Sequence, residues 1–390
     1  MSRRSLVILV LGLGAALPVS ADTQPGPDDA ALANAESQAD SKDSPKADSS
    51  EADSSPADPV PTDAPNARAA LKDGTQLQKQ GKYDEAIAAF RRAQKFPAPV
   101  DVQAELEVEI AETYFRKGRA AKDGTLEKVS HEPLLRRAAR GFTEAVKKYT
   151  DPKAAESIAY ASYMVGSSHM MLGETQKAFD AYKQTYFKHR ENKYGKRALL
   201  RLGVCLGGMD TPKKAIQIFQ TFLQHYSKDP DVKRDVSKVS KYIAEHKLAG
   251  LPAPPVNANK WMNQRVQKGL EDLREEVVVL CFFATWCKVC AREVPQIKRE
   301  IKRWGDRGVV FIGVTNPADT RVTEPVDFYC RRSGLNFFDV ALDNGARSWS
   351  RYRVTGLPAM VVIDRKGVTR WRGHPAFLSH DLLEKLLKEK

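Results

Sequence analysis

The sequence predicts two folded parts in series, an all-α helical repeat array followed by an α/β domain around a mixed sheet. Three observations carry this. In the first part an alanine is followed four residues later by an aromatic, as Ala86/Phe90, Ala138/Phe142, Ala178/Tyr182 and Ala215/Phe219. After Leu251-Pro252-Ala253-Pro254-Pro255 the helical rhythm gives way to short apolar runs alternating with helices. Two of the five cysteines, Cys287 and Cys290, form a C-x-x-C pair just beyond one such run.

Two segments precede the folded parts. Residues 1–21 open with Arg3 and Arg4, run apolar from Leu6 to Val19 and end at Val19-Ser20-Ala21. A positive start, a short greasy middle and small residues at the end describe a cleavable secretory signal. The run is shorter than the roughly 20 residues a bilayer-spanning helix needs, and no later stretch looks membrane-spanning. Residues 22–66 are Ala, Ser, Asp and Pro with eleven acids against Lys42 and Lys46, a composition unable to offset its chain entropy by burial. They predict a disordered acidic linker. The whole chain carries +13, so the folded remainder is strongly basic. That balance suits a solvated basic surface, an anionic cell envelope or an acidic partner. For an exported chain without a matching motif, nucleic acid is not an expected partner.

In the array, residues 67–250, positions i and i+4 share one helix face, so each pair sets a small contact beside a large plug. Gly74, Gly166 and Gly203 stand twelve residues ahead of three of these alanines, where two helices can approach closely. The pattern is similar to tetratricopeptide repeats, with Gly81-Lys82-Tyr83-Asp84-Glu85-Ala86-Ile87 as the best-matching stretch. Successive alanine markers lie 52, 40 and 37 residues apart, against roughly 34 for a regular repeat. The second unit is therefore expected to carry an insertion, at Arg116–His131. Stacked helix pairs offer extended surfaces, so the array is expected to bind protein partners.

In residues 251–390 the expected elements are a strand Val277–Phe283, a helix Cys287–Trp304 and a strand Val309–Val314. A helix Thr323–Ser333 follows, capped by Thr323, then strands Phe338–Leu342, Ala359–Asp364 and Val368–Arg372, and a last helix from near Ser379. The readable order is β-α-β-α-β-β-β-α, which predicts an α/β sandwich.

Cys287 falls where the first strand hands over to a helix. The first helical turn presents backbone N–H groups without intrahelical partners, and the peptide dipoles add partial positive charge. Both favour the thiolate, the species that attacks disulfides. Cys290 sits nearly one turn on, within reach as a resolving thiol. Zinc uses the same spacing, but there is no second C-x-x-C and no histidine pair at ligand spacing, so no metal is expected. Cys205, Cys281 and Cys330 are isolated and read as buried thiols packed like small apolar residues.

The segment Phe282-Phe283-Ala284-Thr285-Trp286-Cys287-Lys288-Val289-Cys290-Ala291-Arg292-Glu293-Val294-Pro295 resembles the active site of the thioredoxin superfamily, in its TlpA/ResA-like branch. Val354-Thr355-Gly356-Leu357-Pro358 and the strand after it resemble that family's cis-proline loop. The resemblance covers about a third of the chain. It implies a thioredoxin fold, Cys287 as nucleophile and Cys290 as resolving cysteine. It places Trp286, Leu357 and Pro358 against the substrate, a kink at Pro295, and Glu293 as an acid that tunes or shuttles protons at the thiols. It implies no cofactor beyond the Cys287–Cys290 disulfide.

Two departures stand out. Lys288-Val289 lies between the cysteines, and Lys288 is expected to lower the Cys287 pKa and make the centre more oxidising. Cys281 stands where thioredoxins keep a buried Asp. The expected function is an exported thiol–disulfide oxidoreductase of the periplasm or cell envelope. It would exchange disulfides with protein clients and an envelope redox partner, the array serving for docking. The alternative is an envelope scaffold in which the repeats dominate and the second domain only tethers partners. A peroxidase of the peroxiredoxin type is disfavoured, because Ala284 stands where those enzymes place Thr.

Overall fold

The computed structural model describes residues 65–390, except 127, 264–268, 323, 336–338 and 390. The expected signal, nearly all of the acidic linker and the Phe338 strand start lie outside the described residues, and the helix expected from Thr323 instead starts at Val326 with Pro325 as its N-cap.

Helix α1 (Pro65–Lys79) begins on a proline, whose fixed φ and missing N–H suit a first helical turn. It is followed by α2 (Tyr83–Ala93), α3 (Val100–Lys122), α4 (His131–Lys148) and α5 (Ala155–Met171). Then come α6 (Thr175–His189), α7 (Lys193–Gly208), α8 (Pro212–Tyr226) and α9 (Lys233–His246). The predicted small-to-large contacts are present. A Cβ added at Gly74 would lie 2.4 Å from the Phe90 ring, one at Gly166 2.7 Å from Tyr182, and one at Gly203 2.4 Å from Phe219. The extra length of the second unit appears as added turns on the 23-residue α3 and the turn leading into α4.

The second part is one six-stranded mixed sheet in the order β1-β4-β3-β2-β5-β6. Its strands are β1 (Ala258–Met262), β2 (Val277–Phe282), β3 (Val309–Thr315), β4 (Asp339–Asp343), β5 (Ala359–Ile363) and β6 (Thr369–Gly373). Strand β2 is central, parallel to β3 and antiparallel to β5, and all six of its residues are buried. The helices are α10 (Lys288–Gly305), α11 (Val326–Ser333), the short α12 (Arg347–Arg351) and α13 (His380–Lys388). Alternate residues of β2 serve two cores. Val277, Val279 and Cys281 pack with Val294 and Ile297 of α10 and Leu383 of α13, whereas Val278, Leu280 and Phe282 pack with Tyr352.

Strand β1 and helix α12 go beyond the sequence-based element order. Strand β1 reads Ala-Asn-Lys-Trp-Met and pairs only at the sheet edge, antiparallel to β4, so it lacks the apolar run that marked the other strands. The proline-rich stretch at 251–255 is not a free tether. Thr369 N–H donates to the Leu251 carbonyl at 2.9 Å and Ala253 N–H to the Gly367 carbonyl at 2.8 Å, so the stretch runs beside β6.

The array packs onto the α/β part at several places. Arg372 on β6, whose side chain is 1% exposed, pairs with Glu245 on α9 at 3.0 Å. Arg303 on α10 pairs with Glu132 on α4 at 2.7 Å. Asp210, after α7, takes Lys385 at 2.7 Å and also Arg370. The start of α13 closes on the α5–α6 turn. His380 N–H donates to the Gly173 carbonyl at 3.2 Å, Gln176 N–H to Asp381 at 2.9 Å, and Thr175 Oγ1 to Ser379 Oγ at 2.9 Å.

Candidate functional site: a dithiol centre at a helix tip

The site grows from the end of β2. Phe283 N–H still pairs with the Val314 carbonyl at 3.1 Å, and Cys287 N–H with the Ala284 carbonyl at 3.1 Å, a tight turn out of the sheet. Cys287 is then the N-cap of α10, and its sulfur accepts the Cys290 N–H at 3.0 Å. A side chain normally caps a helix with oxygen; here a sulfur takes that place. Cys287 and Cys290 are joined in a disulfide with their Cα atoms 5.2 Å apart. Cys287 keeps 6% exposure and Cys290 1%, so Cys287 is the more accessible of the two. When the pair is reduced, the same N–H and the helix dipole are in place to stabilise a Cys287 thiolate.

The residues singled out by resemblance surround this tip. The Leu357–Pro358 bond is cis, and Pro358 lines a small cavity together with Cys290, Cys281 and Tyr329. Leu357 is half-buried and packs against the same core as the cysteines. Trp286 is half-buried, with the Arg321 guanidinium 3.7 Å above its ring. Pro295 lies within α10, which continues through it to Gly305. Lys288 is exposed on the first turn. Glu293 is half-buried; burial pushes its carboxyl above the usual range, against the opposing pull of Lys122 from α3. Cys205, Cys281 and Cys330 are all buried. Burial pushes the Cys330 thiol up to about 11 and the Cys205 and Cys281 thiols further, so none competes as a nucleophile near neutral pH.

Several residues of the site were missed by the sequence analysis. Arg321 and Asp319, in the loop after β3, form a two-bond pair at 2.9 and 2.7 Å, and Arg321 holds Asp319 down at about 2. The Asp-x-Arg spacing was visible, but only the fold brings it over Trp286. The array contributes as well. A Cβ at Gly356, in the cis-proline loop, would meet Lys241 of α9 at 3.2 Å. Gly124, after α3, lies against Pro295 so closely that a Cβ there would stand 2.5 Å from the ring, and its φ of +80° also favours glycine. Lys122 is buried and donates to the Met171 carbonyl; burial lowers it to about 8. Among the described residues no three His, Cys, Asp or Glu side chains converge on a point that could hold a metal ion.

Comparison with known families matches residues 249–372 to the AhpC/TSA family and residues 197–229 to a tetratricopeptide repeat. The matched repeat is the α7–α8 pair, whereas Gly81–Ile87 lies at the α1–α2 turn. Among curated proteins, thiol–disulfide oxidoreductase ResA of Bacillus anthracis is 34% identical over 99 residues, covering 25% of this chain and 54% of that protein. Protein DipZ of Mycobacterium bovis is 32% identical over 114 residues, covering 28% of this chain and 16% of its own length. The chain thus spans about half the length of the ResA relatives it matches. Among solved structures, a thiol–disulfide isomerase from Corynebacterium glutamicum is 27% identical, with a TM-score of 0.32 over 36% of this chain and 99% of that one. The family matches, with the helices and the mixed sheet described above, show a helical region with a tetratricopeptide repeat, followed by a thioredoxin-like domain.

Proposed function

We propose that this protein is an exported thiol–disulfide oxidoreductase that exchanges disulfides with protein clients through Cys287 and Cys290, with the helical array as a docking arm. The observation that carries the reading is the cap itself: the sulfur of Cys287 accepts the N–H of Cys290 at the tip of α10. The ResA relatives and the signal-like residues 1–21 support it.

The reaction balances as a two-electron exchange. The Cys287 thiolate attacks one sulfur of a client disulfide, forms a mixed disulfide and expels the other client sulfur as a thiolate. Cys290 gives its proton to a base and attacks Cys287 Sγ. The second client thiolate leaves, and the 287–290 disulfide closes. Glu293, raised by burial, is the base we assign to that proton. Trp286, held by Arg321, and the Leu357–Pro358 loop flank the client chain. A dithiol partner in the envelope returns the two electrons.

The test is dithiothreitol-driven reduction of insulin by the full chain. Cys287→Ser is expected to abolish turnover, and a variant that kept the wild-type rate would refute the nucleophile. Cys290→Ala is expected to hold clients as mixed disulfides. An empty trap would instead favour the scaffold alternative.

A further inference from the structure

A cavity of about 460 Å³ lies between the array and the first turns of α10. This is a size typical of ligand sites. Its apolar wall is Phe115 of α3, Met170 and Met171 of α5, Tyr182 of α6, Val289 between the two cysteines, and Phe377 after β6. Methionine is unbranched and polarisable, so such a wall adapts to more than one occupant.

Behind this wall the buried Tyr182 packs into a stack of tyrosines. That ring touches Tyr163 at 5.3 Å between centroids, Tyr163 touches Tyr194 at 6.1 Å, and Tyr194 touches Tyr160 at 5.1 Å. Tyr160, Tyr163 and Tyr194 are half-buried, so beyond Tyr182 three partly open rings lie along α5 and α7. Tyrosine gives large, rigid contact area at low entropic cost, which is why protein-binding surfaces use it.

Charge narrows the occupant further. Arg201 and Lys122 line the cavity but are already engaged, Arg201 with the Tyr163 hydroxyl at 3.0 Å and Lys122 with the Met171 carbonyl. Arg119 and Arg292 also line it, both exposed and without a hydrogen bond or close ion pair among the described residues, although both act electrostatically on Glu293, which with Asp123 lines the same cavity. Arg119, Lys122, Arg201 and Arg292 against these two carboxylates leave the lining net positive, and the two exposed guanidinium groups at an apolar wall favour a carboxylate borne on an apolar chain.

From these features we infer that the cavity and its tyrosine row form a binding site for an extended client segment in which acidic and apolar residues alternate. The segment's end lies at Val289, beside the disulfide. The inference rests on the client-exchange reading and adds which client sequences the array selects. It makes the array part of the substrate site.

The test measures binding to the full chain in its disulfide form, where no turnover occurs, so its result is separate from that of the insulin assay. Two short, labelled, cysteine-free peptides serve as probes, one of alternating leucine and glutamate and one of leucine and lysine, read by fluorescence anisotropy. The glutamate peptide is expected to bind more tightly, with an affinity that falls as salt rises. Arg119→Glu combined with Arg292→Glu is expected to weaken it by about tenfold and to improve binding of the lysine peptide. Both positions are exposed, and an unchanged melting temperature will confirm that the variant folds. Equal binding of the two peptides would overturn the proposal, as would a charge preference that survives both reversals. Free succinate binding as tightly as the glutamate peptide would also overturn it, since the site would then take a small dicarboxylate.

Discussion

In the helical array, contacts run mostly between chain neighbours. Gly74 meets Phe90, Gly166 meets Tyr182 and Gly203 meets Phe219, each from one helix to the next. In the α/β domain, the central strand β2 pairs with β5, so that Val278 faces Ile363. The array is a sum of local hairpins, and the sheet is closed by distant strands. The seam between them uses a third means, ion pairs and hydrogen bonds that include the buried Arg372–Glu245 pair. The two cores can thus vary independently, whereas the seam depends on both.

The largest effect is therefore expected at the seam. Arg372→Ala leaves Glu245 buried without its main partner and is expected to cost about 3 kcal/mol in denaturant unfolding of the full chain. A cost near zero would mean that the two parts are held together elsewhere. Next comes the array. Gly203→Ala drives a methyl into Phe219 and is expected to cost about 1–2 kcal/mol, while the dithiol-driven rate stays near wild type. An equal loss of activity would show that the array core and the redox centre are coupled.

A smaller, pH-dependent effect concerns Lys122. Its folded value, about 8, lies below that of a free lysine, so the unfolded chain binds the extra proton between about pH 8 and 10.5. Stability from this group therefore rises with pH across that window. Lys122→Met is expected to flatten the rise, as followed by thermal melts at a series of pH values. The smallest effect is expected at Lys288. Its side chain is exposed and screened, so Lys288→Glu is expected to move the Cys287 thiolate titration by less than about one pKa unit. A larger move would show that this charge reaches the sulfur after all.

The redox centre was legible because its chemistry is local. Cys287, Cys290 and the helix tip between them lie within four residues, and a strand-to-helix handover can be read from hydrophobic period alone. The repeats were legible because spacing repeats. Strand β1 was not, since an edge strand with Asn and Lys carries no apolar alternation. Arg321 over Trp286 and Lys122 facing Glu293 were also hidden, because each joins positions that only the fold brings together. The proline-rich stretch was read as a boundary from its composition. Its carbonyls and N–H groups pair beside β6, which makes it the entry to the sheet domain, a detail that composition does not reveal.

The closure of α13 on the α5–α6 turn bears on the order in which the molecule is assembled. Gln176 and Asp381 are 205 residues apart. The array's hairpins need only nearby chain and can form as each pair of helices leaves the ribosome. The α13 latch must wait until α13 itself has been made. Until then the α5–α6 turn and the nearby helix ends stay uncovered, so a finished array waits for the sheet domain that closes on it.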